Sequence, residues 1–137
     1  MSRIYWDTML FIYLLEGNRE FGPRVHTILT RMQERKDVLL TSTLAVGELL
    51  AGTTSAVHAD VEEMLEGPYI EVAPFDMASA RLFAEIRVRN RATPADAIHL
   101  ACAAQAKADL FLTNDKKLIG KTVPGIQFVA GLDVNLF

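Results

Sequence analysis

Short apolar runs alternate along this chain with segments in which apolar residues recur every three or four positions. The alternation indicates repeated strand–helix units and a parallel sheet. The predicted strands are Arg3–Trp6, Val38–Thr41, Ile70–Ala73, Leu110–Thr113 and Ile126–Val129. Because ligands of such sheets bind beyond the carboxyl ends of the strands, we expect the chemistry of the protein there.

The segments between these strands have helical spacing. The predicted helices are Thr8–Leu15, Pro23–Lys36, Thr43–Ala51, Val57–Leu65, a helix opened by Asp76, a helix from Thr93 to about Lys107, and a short helical turn over Asp115–Ile119. In the helix after Asp76, the residues expected to share one apolar face are Ala80, Phe83, Ala84 and Val88. Thr93 is followed by a proline and then an acid in the first turn, which is typical of a helix start.

The composition fits one folded domain over residues 1–137, because half of the residues are hydrophobic and no linker or repeat divides the chain. Cys102 is the single cysteine, which excludes an intramolecular disulfide and a cysteine-rich zinc site. The net charge of −3 lacks the basic surplus of proteins that grip phosphates broadly. Acidic metal ligands would contribute to such a deficit.

No apolar segment has the length of a membrane span. The longest runs from Ile4 to Leu15, contains Asp7 and falls short of the ~20 residues that cross a bilayer. The same carboxylate argues against a signal peptide. We therefore expect a cytoplasmic protein that does not contact membranes.

Asp7 directly follows the first strand, inside the segment Ile-Tyr-Trp-Asp-Thr-Met-Leu-Phe-Ile-Tyr. An unpaired charge among apolar neighbours is costly, so this position needs an explanation. One interpretation is a cap of the following helix, and the other is a ligand at the carboxyl end of a strand.

Glu48 is surrounded by small or apolar residues at helical spacing, namely Leu44, Ala45, Ala51 and Gly52. This spacing places the glutamate on the inward face of its helix. An equally good interpretation is a glutamate at the edge of that face, with a packed stem and a solvated carboxylate.

Asp96 and Asp115 each have an ordinary explanation as well. Asp96 lies three residues after Thr93, where an acid stabilises a helix N-terminus. Asp115 follows the fourth strand in Leu-Thr-Asn-Asp-Lys-Lys-Leu, where an aspartate often forms a turn.

Together, however, the four acids are expected to converge at one edge of the sheet. Four carboxylates without a cation would repel one another and raise their pKa values, and a divalent ion relieves that repulsion. The set offers only oxygen ligands, which fit magnesium or manganese rather than structural zinc.

Longer motifs surround these acids. They are Tyr-Trp-Asp-Thr with a following Ile-Tyr-Leu-Leu-Glu, then Val-Gly-Glu-Leu-Leu-Ala-Gly, Thr-Pro-Ala-Asp-Ala-Ile-His-Leu-Ala and Leu-Thr-Asn-Asp-Lys-Lys-Leu. With the acids in this order over nearly the whole chain, the sequence resembles the PIN-domain nucleases, in particular the VapC-type toxins of toxin–antitoxin pairs.

The resemblance implies a three-layer α/β/α fold with a five-stranded parallel sheet and magnesium- or manganese-dependent RNA cleavage. It also implies a homodimer that an antitoxin neutralises. The implied catalytic and metal-binding residues are Asp7, Glu48, Asp96 and Asp115. Metal-assisted attack of water would leave a 5′-phosphate and a 3′-hydroxyl.

One position departs from the family pattern. Met9 stands where the family often has asparagine or serine, two residues after the first aspartate. Thr8 and Thr113 are therefore the candidate supporting hydroxyls. His99, one helical turn past Asp96, is either a further supporting group or a half-buried helix histidine.

Two basic groups are candidate RNA contacts. They are Arg87, Arg89 and Arg91 before the third acid, and Lys116 and Lys117 beside the fourth. A solvated helix end explains the arginines equally well. Single-stranded RNA is the expected substrate class, although structured RNA is also compatible, because splayed bases can be read where an A-form groove cannot.

The chain has more apolar residues near its first helix than one small sheet needs. A groove for an antitoxin segment is predicted from Met9, Leu10, Phe11, Tyr13, Leu49, Leu50 and Leu65, with core packing as the alternative.

Two other functions compete with the nuclease. A magnesium phosphatase could use Asp7 as a nucleophile, but Met9 stands where such a site usually has a second acid. The other alternative is a catalytically silent PIN-like module that binds RNA or protein and keeps the acids as caps.

Overall fold

The computed structural model describes residues 1–135. Within this range the strands are β1 (Arg3–Trp6), β2 (Val38–Ser42), β3 (Ile70–Ala73), β4 (Leu110–Leu112) and β5 (Phe128–Ala130). All pair in parallel in the order β3-β2-β1-β4-β5, so β1 is central. The predicted five-stranded parallel sheet is confirmed.

Helices cover both faces of this sheet. They are α1 (Thr8–Leu15), α2 (Gly22–Arg35), α3 (Thr43–Gly52), α4 (Ser55–Leu65), α5 (Met77–Asn90) and α6 (Pro94–Gln105). Side chains alternate along β1, so Ile4 and Trp6 enter one core with α1–α4, whereas Tyr5 enters the other with α5 and α6. The fold is therefore the expected three-layer α/β/α arrangement.

The prediction for α5 was right for the helix and for Phe83, and wrong for Ala84 and Val88. Ala84 is exposed and Val88 is 83% exposed, whereas Ile86 is fully buried. The packed face runs through Ser79 and Phe83 to Ile86, because only that stripe meets the sheet and α6. A helix with apolar residues at several spacings offers two possible faces, and tertiary packing selects one.

The last strand begins two residues later than predicted. Gly125 has a φ of +84°, and a Cβ at this position would lie 3.1 Å from the Ala104 Cβ, so the chain turns here against α6. Ile126 donates its backbone N–H to Val123 O within the turn. It is buried by the turn rather than by strand pairing.

α6 packs tightly behind the sheet, and Cys102 is fully buried in it. Burial raises the pKa of this thiol to about 11. Among residues 1–135, no helix combines the length and the apolar character that crossing a bilayer requires.

Candidate active site

A cavity of about 460 Å³ opens at the carboxyl edge of the sheet, where β1 and β4 lead into their loops. Its lining, which we call the acidic cleft, consists of Asp7, Thr8, Met9, Ile12, Tyr13, Glu48, Ala95, Asp96, His99, Asn114 and Asp115. All four acids predicted from the sequence therefore lie in one cavity. The edge of the sheet brings together acids that are far apart in sequence, from Asp7 to Asp115.

Asp7 is held through both of its carboxylate oxygens. It is the N-cap of α1, and Oδ1 accepts the Thr8 N–H at 2.8 Å. Oδ2 accepts a hydrogen bond from Thr113 Oγ1 at 2.7 Å. The capping interpretation and the site interpretation are thus compatible, because each oxygen retains a further lone pair for a ligand.

Glu48 reaches the cleft from α3 with a side chain that is 39% exposed. Oε1 accepts from Thr8 Oγ1 at 2.8 Å and lies 2.6 Å from His99 Nε2. The carboxylate is therefore neither buried in the core nor free in solvent. Thr8 contributes through its side chain to Glu48 and through its backbone to Asp7, which makes it a link between two acids.

His99 is buried and is connected on both sides of its ring. Nδ1 lies 2.7 Å from the Tyr5 hydroxyl, which in turn lies 2.7 Å from Ser42 Oγ. Ser42 caps α3 by accepting the Ala45 N–H at 3.1 Å. Burial raises the pKa of Tyr5 well above its usual range, against the hydrogen bond from Ser42.

Sequence analysis missed Tyr5 and Ser42. Tyr5 is hidden in an apolar strand, and Ser42 looks like an ordinary helix cap. The signal that could have found Tyr5 is its hydroxyl, since a buried tyrosine usually finds a hydrogen-bond partner.

Asp96 and Asp115 complete the acidic wall. Asp96 lies in the first turn of α6, and its N–H donates to Thr93 Oγ1 at 3.3 Å, as the helix-start pattern predicts. Asp115 donates its N–H to Thr113 Oγ1 at 3.0 Å and accepts the Lys117 N–H at 2.9 Å. One threonine, Thr113, therefore contacts both strand-end acids.

The donor set suits a hard divalent cation, because four carboxylates and no thiolate line the cleft. Within residues 1–135, no three histidine, cysteine or acidic side chains lie close enough to hold one ion. Ligation by three carboxylates therefore requires side-chain rotation. Asp96 and Asp115 are partly exposed, which leaves them room for such movement.

Part of the cleft lining is apolar or aromatic and not acidic. Met9 is 43% exposed there, and Tyr13 accepts a hydrogen bond from Asn114 Nδ2 at 3.1 Å. The Tyr13 ring packs on Phe21 with centroids 4.9 Å apart. An aromatic ring fixed from behind and an amide beside it form a surface on which a planar ligand can stack. The sequence analysis assigned Tyr13 to a groove and gave Asn114 no role.

The predicted basic residues do not line the cleft. Arg87 donates to Ala92 O at 2.6 Å and so holds the segment after α5 against the helix, and Arg89 pairs with Glu85 at 3.4 Å. Lys116 and Lys117 are exposed next to Asp115 at the cleft mouth. The structure thus gives two of the three arginines local contacts and leaves both lysines in solvent.

A second cavity of about 570 Å³ lies between α2 and α4. Its lining, which we call the apolar cavity, is Trp6, Leu29, Met32, Gln33, Asp37, Leu39, Asp60, Glu63, Met64, Gly67, Pro68, Tyr69 and Ile70. The buried Trp6 Nε1 has no hydrogen-bond partner among residues 1–135. Such an unpaired buried donor is uncommon in native structures.

The groove predicted from the sequence is largely core. Leu10, Phe11 and Leu49 are fully buried in the α1–α4 core. Met9 and Tyr13 line the acidic cleft instead. Most of these apolar residues therefore pack in the core, which was the alternative to an antitoxin groove.

The fold of this chain is similar to that of several solved structures. VapBC2 from Rickettsia felis, bound to a promoter DNA fragment, has a TM-score of 0.74 at 14% identity, covering 94% of this chain and 98% of that one. DNA-bound VapBC from Salmonella typhimurium has a TM-score of 0.71 at 19% identity, covering 96% and 99%.

A third similar structure is Mycobacterium tuberculosis VapC20, a toxin that cleaves the sarcin–ricin loop. It has a TM-score of 0.62 at 16% identity and covers 79% of this chain and 86% of that one. At these identities the likeness concerns the fold. No curated protein sequence matches the chain.

The family model described as the PIN domain matches residues 4–122, a range that contains all four acids of the cleft. The match spans most of the chain and includes β2, β3 and β4. This chain belongs to the PIN domain family.

Proposed function

We propose that this protein is a divalent-metal-dependent endoribonuclease that acts as the toxin of a toxin–antitoxin pair. PIN-domain proteins are nucleases and generally use divalent metal ions. The observation that carries the proposal is the acidic cleft, where Asp7, Glu48, Asp96 and Asp115 line one cavity at the carboxyl edge of the sheet.

In this mechanism, Asp7, Asp96 and Asp115 would hold the cation, and Glu48 would complete the ligand set or orient a water. When bound, the ion would neutralise phosphate charge and lower the pKa of water. Thr113 keeps Asp7 and Asp115 in register, since it contacts both. Attack of water at phosphorus breaks the bond to the 3′ oxygen and leaves a 5′-phosphate and a 3′-hydroxyl.

Single-stranded RNA is the proposed substrate. The Tyr13 ring and the Asn114 amide line the cleft beside the acids and can stack on and hydrogen-bond one unpaired base. Lys116 and Lys117 at the mouth can contact phosphates. A base in a duplex would have to unstack before it reached this part of the cleft.

The test is cleavage of end-labelled single-stranded RNA by pure protein in Mn²⁺, with and without EDTA. We expect products with 3′-hydroxyl ends that disappear in EDTA and in Asp7→Asn. Asp133→Asn is the matched control, because it removes an exposed acid outside the cleft and should cleave normally. Cleavage that persists in Asp7→Asn would contradict the proposal.

We further propose that the antitoxin occupies the apolar cavity. VapBC assemblies from three organisms are among the similar structures, and their names describe complexes or members of toxin–antitoxin systems. The cavity has apolar walls and the acids Asp60 and Glu63 among its lining residues. It therefore fits an apolar segment that carries a basic residue for the acids.

Co-expression with the product of a neighbouring antitoxin gene tests this partner. The complex should form with wild type and weaken with Met64→Glu, which places a charge in the apolar wall. Exposed Met77 lies outside the cavity, so Met77→Glu is the matched control. Equal binding by both variants would move the antitoxin to another surface.

One observation favours the alternative of a catalytically silent module. In residues 1–135, no three ligand side chains are within reach of one ion. A silent module should bind no Mn²⁺ and gain no thermal stability from it, whereas specific binding to the native state raises Tm. A thermal melt with and without Mn²⁺ separates the two functions before any RNA is added.

A further inference from the structure

A line of polar side chains runs from the start of α3 to the acidic cleft through otherwise apolar surroundings. Its members are Ser42, Tyr5, His99 and Glu48, and successive contacts measure 2.7, 2.7 and 2.6 Å. The first three are buried, so each of their polar atoms needs a partner. The Ala45 N–H supplies the first hydrogen bond of the line at Ser42 Oγ.

The end of the line fixes the direction of its protons. An ionised Glu48 can only accept, so His99 Nε2 must be the donor. In a neutral imidazole the other nitrogen then accepts, and the nearest donor to Nδ1 is the Tyr5 hydroxyl at 2.7 Å. When the Tyr5 hydroxyl donates to Nδ1, the Ser42 hydroxyl, which lies 2.7 Å away and already accepts from Ala45, is free to donate to the Tyr5 oxygen. Hydrogen bonds aligned in one direction reinforce one another.

The effect on Glu48 is asymmetric. His99 Nε2 and Thr8 Oγ1 both contact Glu48 Oε1. Within residues 1–135, no group forms a hydrogen bond with Glu48 Oε2. The carboxylate is thus held through one oxygen while the other stays available to a ligand in the cleft. A long, partly exposed side chain would otherwise sample several rotamers.

We propose that Tyr5 is a positioning residue, whose hydroxyl selects the His99 tautomer that orients Glu48. The inference rests on the proposed nuclease function, since it concerns how one acid of that site is held. Tyr5 itself lines neither the cleft nor any surface and would act entirely through His99.

The Tyr5 hydroxyl can be removed without disturbing the packing of its ring. The ring stacks on Phe111 with centroids 5.0 Å apart and planes 9° apart, and Tyr5→Phe keeps that contact. Thr41→Val is the matched control, because it deletes a buried hydroxyl on β2 that has no hydrogen-bond partner among the described residues.

The first readout is the tautomer of His99, measured by long-range ¹H–¹⁵N spectra of labelled protein without RNA or metal. Wild type and Thr41→Val should carry the proton on Nε2. Tyr5→Phe should show a mixture of the two tautomers. A proton on Nδ1 in wild type, or an unchanged spectrum in Tyr5→Phe, would overturn the proposal.

The second readout is kinetic. Tyr5→Phe should lower kcat about tenfold with little change in KM, which is the usual scale for groups that orient a metal ligand. Glutamine has no tautomer to select and can still donate to Glu48, so in a His99→Gln background the Tyr5→Phe effect should vanish. An equal fall in both backgrounds would indicate a general structural role and overturn the proposal.

These readouts separate the two claims. If wild type cleaves no RNA in Mn²⁺, the proposed function fails, while the spectra still decide whether Tyr5 sets the tautomer. If wild type cleaves and the tautomer does not respond to Tyr5→Phe, the nuclease stands and the positioning role is wrong.

Discussion

The acidic cleft and the apolar cavity differ in how their polar atoms are satisfied. In the acidic cleft, Asp7 and Glu48 accept hydrogen bonds from residues of the protein itself. In the apolar cavity, the indole N–H of Trp6 has no partner within residues 1–135. The larger, more apolar cavity would be the default choice for a ligand site, yet the smaller one contains the four acids.

The difference separates two uses of a concave surface. Side chains that are already oriented cost little reorganisation when a reaction develops charge beside them. An unpaired buried donor such as the Trp6 indole N–H instead carries the cost of its missing hydrogen bond. We therefore base the proposed reaction site on internal hydrogen bonding and not on volume. Each of the following substitutions acts on one side of this comparison.

The largest expected effect belongs to Asp7. Asp7→Asn should lower kcat more than about 100-fold, above the usual 10- to 100-fold cost of removing an outer-shell partner. Asparagine still caps α1, so the Tm without metal should barely move, whereas Asp7→Ala should also lose about 1 kcal/mol of stability. Mn²⁺ should raise the Tm of wild type and not of Asp7→Asn. A cap-only role for Asp7 would leave cleavage intact in both variants, with stability lost only in Asp7→Ala.

Thr113 comes next, because its hydroxyl donates to the Asp7 carboxylate and accepts the backbone N–H of Asp115. Thr113→Val keeps the shape of the side chain and should lower kcat about 10- to 100-fold. Thr113→Ser retains the hydroxyl and should restore most of the activity. Steady-state kinetics on one RNA measure all three proteins. Equal activity of the valine and serine variants would mean that Asp7 needs no such support.

The apolar cavity should respond to its acidic rim. Glu63→Lys reverses one charge there and should weaken the antitoxin complex about tenfold while RNA cleavage stays unchanged. Glu62→Lys makes the same charge change at an exposed neighbour outside the cavity lining and serves as the control. Titration calorimetry with purified antitoxin gives the affinities. If Glu63→Lys changed the rate of RNA cleavage, the apolar cavity would influence the acidic cleft, contrary to this prediction.

The smallest effect lies away from both cavities. The Arg3 guanidinium hydrogen-bonds Glu71 and holds the pKa of that carboxyl below its usual range. A lowered folded-state pKa stabilises the protein above the unfolded pKa, and this contribution is lost as pH falls through the folded value. Both side chains are partly exposed, so Glu71→Gln should cost less than about 1 kcal/mol near neutral pH. Urea unfolding at neutral and acidic pH should show the difference between the two proteins shrinking on acidification.

The sequence predicted the sheet well because strand position is a local property. Apolar runs of four or five residues gave the strands, and the acids followed from their places after β1, on α3 and around β4. Parallel strands ending at one edge then imply convergence, which the lining of the cleft bears out for Asp7 and Asp115.

The sequence could not predict contacts that depend on how elements pack. Tyr5 and His99 are 94 positions apart, and only the crossing of α6 over β1 brings them together. The same limit explains Val88, whose helical spacing from Ala84 looks like a packed stripe and faces solvent. Periodicity identifies a helix, while its neighbours decide which side is covered.

The buried thiol on α6 can be used to measure how often this helix separates from the sheet. Cys102 has a pKa raised to about 11 and no exposed surface, so alkylating reagents can reach it only when the helix separates from the sheet. The labelling rate under native conditions then reports the free energy of that opening. Comparing this rate with and without Mn²⁺, or with antitoxin bound, would measure how strongly each cavity is coupled to the core that lies behind the sheet.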